Sequence, residues 1–205
     1  MNQIEDYDAR IIAGAAELFR LYGIRAVTMD DIANHLGVSK RSIYERFIDK
    51  DTLLFSVMDS MIVRQREMIE KILENSPDVI SAVFCIARMG RDHAATMNPL
   101  IVSDLKKYHN NVLKRLREKC DNPDFEAARS ILEKGVSQGI FRETIDVEIV
   151  GRAFKGMSTI SGDEELFPRD LFLQKDIMRN IMVNFMRGIS TARGVELIDS
   201  MENEI

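Results

Sequence analysis

Tryptophan is absent from this 205-residue chain, and cysteine occurs twice, histidine three times and proline four times. Each scarcity removes a class of function. Cys85 and Cys120 form neither a CxxC pair nor a disulfide framework, so reduced thiols are expected. His35, His93 and His109 show no close ligand repeat such as His-x-x-x-His, and neither a phosphate-binding glycine loop nor a Gly-x-Ser-x-Gly elbow is present. No catalytic residue, metal or cofactor is therefore expected, and an enzyme is the weak alternative. No apolar run approaches the roughly 20 residues that a membrane span requires. The N-terminal MNQIEDYDAR is acidic and lacks a secretory apolar core, so the expected location is the cytoplasm.

What the chain has is amphipathic helix. It is 45% hydrophobic and 30% charged, enough to bury a real core, and no alternating strand pattern persists. The fold class read from this is all-α, in two parts: residues 1–50 as a small three-helix domain and residues 51–205 as a larger helical one. Ile11, Ile12, Ala15, Leu18, Phe19 and Tyr22 recur at helical spacing, and Gly23 closes that run.

Thr28 to Lys50 is the most specific stretch. Thr28 is a good N-cap with Asp31 three residues on, so a helix is expected from Met29. Ile32, Ala33 and Leu36 share its inner face, and Gly37 stands where a left-handed residue ends a helix cheaply. Ser39 caps a second helix, in which Ile43 and Phe47 reach the core while Lys40, Arg41, Ser42, Tyr44 and Arg46 are left for other faces. Asp49 caps the next helix, with Lys50 in its first turn. Two helices on a tight glycine turn, with basic side chains on the second, describe a helix-turn-helix, whose use is to place one helix in the DNA major groove. A solvated charged face is the plainer reading of the same cations.

These residues carry a resemblance. Phe19, Gly23, Thr28, Ile32, Ala33, Gly37, Val38, Ser39, Tyr44, Phe47, Lys50 and Leu53 stand at the spacings of the DNA-binding domain of the TetR family of bacterial transcriptional regulators, which the run from Ile11 to Leu54 resembles without a gap. The resemblance implies a homodimer with an N-terminal reading head and a C-terminal effector-binding and dimerisation domain. It further implies that Thr28, Tyr44 and Lys50 contact phosphates and that Lys40, Arg41 and Ser42, capped by Ser39, sit near base edges. Glu45 and Arg46 depart from the family's usual aromatic or histidine residues. Arg46 then offers a phosphate or guanine contact, and Glu45 accepts from cytosine or pairs with Arg41. The net charge of -5 fits a DNA binder only locally: Lys40 to Lys50 holds four basic and two acidic side chains.

Beyond residue 50, Thr52 to Glu74 reads as one long helix. Ser76-Pro77 and Asn98-Pro99 read as cap and first helical position of the next two. Asp121-Asn122-Pro123 marks a break, and Phe125 to Gln138 resumes a helix that Gly139 closes. Two later stripes exceed what a surface helix needs: Val150, Ala153, Phe154, Met157 and Ile160 in one, with Gly151 and Gly156 beside it, and Ile177, Met178, Ile181, Met182, Phe185, Met186 and Ile189 in the other. Intramolecular core and dimer interface are both open readings of these stripes, and the resemblance implies the interface. It likewise implies a small-molecule pocket, for which the central helices offer Met61, Arg64, Phe84, Arg88, Met89, His93, Met97, Tyr108 and Asn111. Twelve methionines suit an apolar or aromatic effector. The expected function is a dimeric repressor released from a palindromic, double-stranded operator by such an effector. A helical protein-binding adaptor with a vestigial reading head is the alternative.

Overall fold

A computed structural model describes residues 3–96, 98–119, 123–161, 163, 165–168 and 170–201. Among them are eleven helices: α1 (Gln3–Tyr22), α2 (Met29–Leu36), α3 (Lys40–Tyr44), α4 (Lys50–Asn75), α5 (Val79–Thr96), α6 (Pro99–Tyr108), α7 (Asn110–Lys119), α8 (Pro123–Ser137), α9 (Val147–Ser161), α10 (Gln174–Ile189) and α11 (Ala192–Met201). The extended structure among the described residues is one isolated bridge, between Phe141 and Ser190. The chain is all-α. None of the described helices is long and apolar enough to cross a membrane.

The chain divides into two compact units, Met1–Gln65 with His93–Asp121 and Arg66–Asp92 with Asn122–Ile205. As expected, one long helix, α4, runs unbroken from Lys50 to Asn75, and the first unit takes in its N-terminal part together with α6 and α7. The first unit is built on Ile11, Ala15 and Phe19 of α1, Ile32 of α2, Ile43 of α3 and Leu53, Leu54 and Val57 of α4, with Ile101, Leu105 and Val112 from α6 and α7. Full burial of a residue such as Ile32 is worth roughly 1.5–3 kcal/mol. Gly14 lets α2 approach α1, since a Cβ there would meet Leu36 Cδ2 at 2.7 Å.

The second unit is built on Val79, Ile80 and Val83 of α5, Leu132 of α8, Ile140, Phe141, and Val183, Met186 and Ile189 of α10. Its last helix, α11, was not among the elements expected from sequence. Thr191 starts it by accepting from the Gly194 and Val195 amides, while Gly194 packs so closely that a Cβ would lie 2.4 Å from the Ile140 carbonyl oxygen.

Caps decide the remaining boundaries. Asn98 and Pro99 open α6 as expected, the Asn98 side chain accepting from Leu100 N at 3.0 Å. Ser76 does not open α5. Its hydroxyl and amide both donate back to the Ile72 carbonyl at the end of α4, whereas Asp78 accepts the Ser81 amide and hydroxyl and starts the helix at Val79. A carboxylate that satisfies two donors outcompetes the serine. The break between α6 and α7 falls at His109, whose Nδ1 lies 2.6 Å from Asp51 Oδ1.

Candidate nucleic-acid interface

Local chemistry shapes the helix-turn-helix. Thr28 adopts extended backbone geometry and accepts from the Asp31 amide at 3.2 Å, while the Asp31 carboxylate accepts from both the Thr28 amide, at 2.8 Å, and its hydroxyl, at 2.6 Å. The box closes reciprocally. Hydrogen bonds from the Thr28 hydroxyl and amide, with a smaller pull from Lys50, hold the Asp31 carboxyl below its ordinary range. At the other end Gly37 has φ of 66°, and the amides of Gly37 and Val38 donate to Asn34 and Ala33, so α2 stops and the chain turns within two residues. Arg10 of α1 donates to the Leu36 carbonyl and ties down that end.

Ser39 caps α3: its hydroxyl accepts the Ser42 amide at 3.0 Å and lies 2.7 Å from the Ser42 hydroxyl. Ile43 anchors the helix in the core, and the chain coils on past Glu45 so that Phe47 N donates to the Ile43 carbonyl and its ring is buried too. This leaves Lys40, Arg41, Tyr44, Glu45 and Arg46 exposed on one short element. Ile48, 78% exposed, follows directly and was not singled out from sequence; its lone apolar exposure beside five polar side chains is the signal.

The cations all have partners. Lys40 Nζ lies 2.8 Å from Asp30 Oδ1 and over the Tyr44 ring, and this pairing raises its pKa. Arg41 pairs with Glu45 at 2.9 Å, one of the alternatives expected for that glutamate. Arg46 grips both oxygens of Asp8 at 2.6 Å, which also strengthens its charged form. Sequence reasoning missed Asp8 and Asp30, since nothing in the chain's spacing pairs residues 38 apart. Lys50 is placed differently. Its half-buried ammonium donates to the Ile24 carbonyl at 2.6 Å, and burial lowers its pKa while Asp104, Asp51 and Asp31 pull the other way.

Of the described residues expected to line an effector pocket, Met61, Arg64, Tyr108 and Asn111 lie in the first unit and Phe84, Arg88 and Met89 in the second. Met61 packs on the first unit's core, Asn111 donates to Asp51, and Tyr108 receives Arg25 both at its hydroxyl and over its ring. Phe84 is buried in the second unit, Met89 is partly buried there, and Arg64 and Arg88 are exposed. The side chain of His93 and the whole of Met97 lie outside the described residues. A small cavity of about 20 Å³ does lie in the second unit, walled by Val83, Ala128, Ile131, Leu132, Phe141, Phe154, Phe185, Met186 and Ile189. Its lining is wholly apolar, and it has room for about one water-sized group.

Three of those walls come from the stripes expected at a dimer interface. Phe154 and Phe185 stack at 5.9 Å, and Ile177, Met182 and Met186 are covered by their own chain. Val150, Met157 and Ile181 are partly buried. Ala153 and Ile160 of the expected stripe, with Gly156 beside it, form the outward row of α9 together with Ile149, Ile149 being 66% and Ile160 47% exposed. Cys85 is a free thiol, and no group of three metal-ligating side chains occurs among the described residues.

The comparisons match this geometry. The model of the bacterial regulatory proteins, tetR family, matches residues 11–57. The HTH-type transcriptional repressor KstR2 of Mycobacterium tuberculosis is 22% identical over 164 residues, covering 78% of this chain and 82% of that one. Among solved structures, a TetR-family regulator from Mesorhizobium loti aligns with a TM-score of 0.68 at 20% identity, over 93% of this chain and all of that one. FadR of Thermus thermophilus, a TetR-family repressor solved with lauroyl-CoA, aligns with a TM-score of 0.64 at 18% identity, over 88% and 94%. With the capped helix-turn-helix inside the matched span and the shared helical fold around it, residues 11–57 are a match to the tetR family of bacterial regulatory proteins, in a chain that has the helical fold of TetR-family regulators.

Proposed function

We propose that the protein is a cytoplasmic repressor that occupies a palindromic operator as a homodimer and leaves it when a small apolar effector binds. The observation that carries this reading is α3 itself: a recognition helix pinned by Ile43 and Phe47, with Lys40, Arg41, Tyr44 and Arg46 exposed along it. Residues 1–50 serve as the reading head. Arg41, Ser42 and Lys40 approach base edges, and Thr28, Ser39, Tyr44 and Arg46 position the head on phosphates. Lys50 acts from beneath, holding the Ile24 carbonyl.

Residues 51–205 supply the effector site and the dimer seam. The row Ile149, Ala153, Gly156 and Ile160 recurs at spacings of four, three and four, a continuous helix face. Among the described residues, apart from chain neighbours and the helix's own backbone, nothing lies within 4 Å of a Cβ built at Gly156 or at Gly188 of α10, and both positions allow a partner helix to come close. The apolar cavity favours an uncharged effector group, and FadR's lauroyl chain is such a group in a neighbour of the same fold. Ligand releases DNA by preferring the conformer whose two heads no longer match half-sites one helical turn apart.

Fluorescence anisotropy tests the reading, using a labelled duplex from the DNA upstream of the protein's own coding sequence beside a scrambled one at equal salt. Binding to the first alone, with two chains per palindrome, is the expected outcome. Failure to prefer any fragment from a genomic library would refute it.

A further inference from the structure

The exposed cations of the recognition helix are each neutralised by the chain's own carboxylates, and those carboxylates come from three different elements. Asp8 stands on α1, Asp30 on α2 and Glu45 at the end of α3, at 2.6, 2.8 and 2.9 Å from Arg46, Lys40 and Arg41. Three positive and three negative charges therefore cancel on the surface that meets DNA.

We infer that Asp8, Asp30 and Glu45 are specificity-determining residues, which hold the recognition-helix cations against the phosphates of non-operator DNA and release them only where base contacts are also made. The inference rests on the DNA-binding reading proposed above.

Non-specific binding is driven almost wholly by cations replacing the condensed counterions of the duplex. A cation already paired gives little of that gain. The phosphate must displace a carboxylate, and the displaced carboxylate stays beside the phosphate chain and repels it. On an operator the exchange is completed by base contacts, because a freed guanidinium can fork onto guanine and a freed carboxylate can accept from a cytosine amine. The forked pair between Arg46 and Asp8 is the tightest of the three, since Nε donates to Oδ1 and Nη2 to Oδ2 and only 31% and 33% of the two side chains is exposed. Asp31, the remaining carboxylate of the α2 cap, pairs with none of these cations, and its Oδ2 accepts from both the amide and the hydroxyl of Thr28.

The test is an anisotropy titration of the full chain on a mixed-sequence duplex and on its best genomic fragment, across about 50 to 200 mM salt. Wild type is compared with Asp8→Asn/Asp30→Asn/Glu45→Gln and with Glu45→Gln alone. The triple variant is expected to bind the mixed duplex about tenfold more tightly at low salt. Its plot of log affinity against log salt should be steeper by about one unit for each carboxylate removed, and its preference for the genomic fragment should shrink. Glu45→Gln should show about a threefold gain, and being a surface change it decides the matter if the triple variant does not fold. Affinity for the mixed duplex within twofold of wild type at every salt, with fragment binding intact, would overturn the inference and leave the DNA-binding reading standing. Absence of binding to any duplex by every protein would overturn both.

Discussion

Asp104 gives the sharpest test of how the reading head is held. Its side chain is 7% exposed on α6, one oxygen accepts the Arg25 amide at 2.8 Å, and its charge faces the half-buried ammonium of Lys50. Asp104→Ala removes a charged acceptor from a part-buried hydrogen bond, an interaction worth about 1.5–3 kcal/mol. The four tyrosines, Tyr7, Tyr22, Tyr44 and Tyr108, all fall in the first unit and the chain has no tryptophan, so tyrosine fluorescence in urea reads that unit alone. With a denaturant slope of about 1–3 kcal/mol/M, the midpoint should fall by roughly 1 M. Asp104→Asn keeps an oxygen acceptor and should lose about half as much. A shift below about 0.3 M in Asp104→Ala, against the smallest loss that the hydrogen bond predicts, would refute the reasoning.

Three further outcomes are expected. Thr28→Ala opens the capping box and should destabilise the first unit by about 1 kcal/mol, measured by the same fluorescence. Because Asp31 is held below the ordinary carboxylate range, its contribution is fully present above that range and disappears as pH falls through the depressed value, so Asp31→Asn should flatten the acid limb of the unfolding curve. Gly156→Glu places a charge on the outward row of α9 and should turn a dimer into a monomer in sedimentation velocity, with tyrosine-detected stability unchanged. A dimer that survives it would move the seam elsewhere.

The features legible in the sequence are those closed within four residues. The Thr28 and Asp31 box, the Gly37 stop, the Ser39 cap and the Asn98-Pro99 start all form where spacing places them, because donor and acceptor are neighbours along the chain. Features closed across the chain were not legible. Val79 takes its acceptor from Gln138, His109 breaks a helix by meeting Asp51, and Arg46 is claimed by Asp8. The α10 stripe shows the same limit in packing. Ile177, Met182, Met186 and Ile189 satisfy a helical period whether they face their own core or a partner, and only the arrangement of α5, α8 and α9 around them shows that they face inward.

Lys50 concentrates this contrast in one side chain. Its position in the first turn of α4 gives it the look of a phosphate ligand, since helix amides there already favour an anion. In the structure its ammonium is half-buried, bonded to Ile24 and surrounded by Asp31, Asp51 and Asp104, so its charge is used to hold the loop that leads into the reading head. The two roles give opposite results in Lys50→Met, which keeps the stem and removes the charge. A phosphate ligand would lower the salt slope of DNA binding by about one unit and leave stability intact. A positioning residue would leave the slope unchanged and lower the urea midpoint, because the Ile24 carbonyl loses its donor and three carboxylates lose their shared cation. Linkage adds an independent sign. Burial sets the folded pKa of Lys50 below its unfolded value, so the wild type gains stability from this group as pH rises from the folded to the unfolded value, and Lys50→Met should lack that rise. The structure favours the positioning role, and a salt slope reduced by one with the midpoint unmoved would refute it.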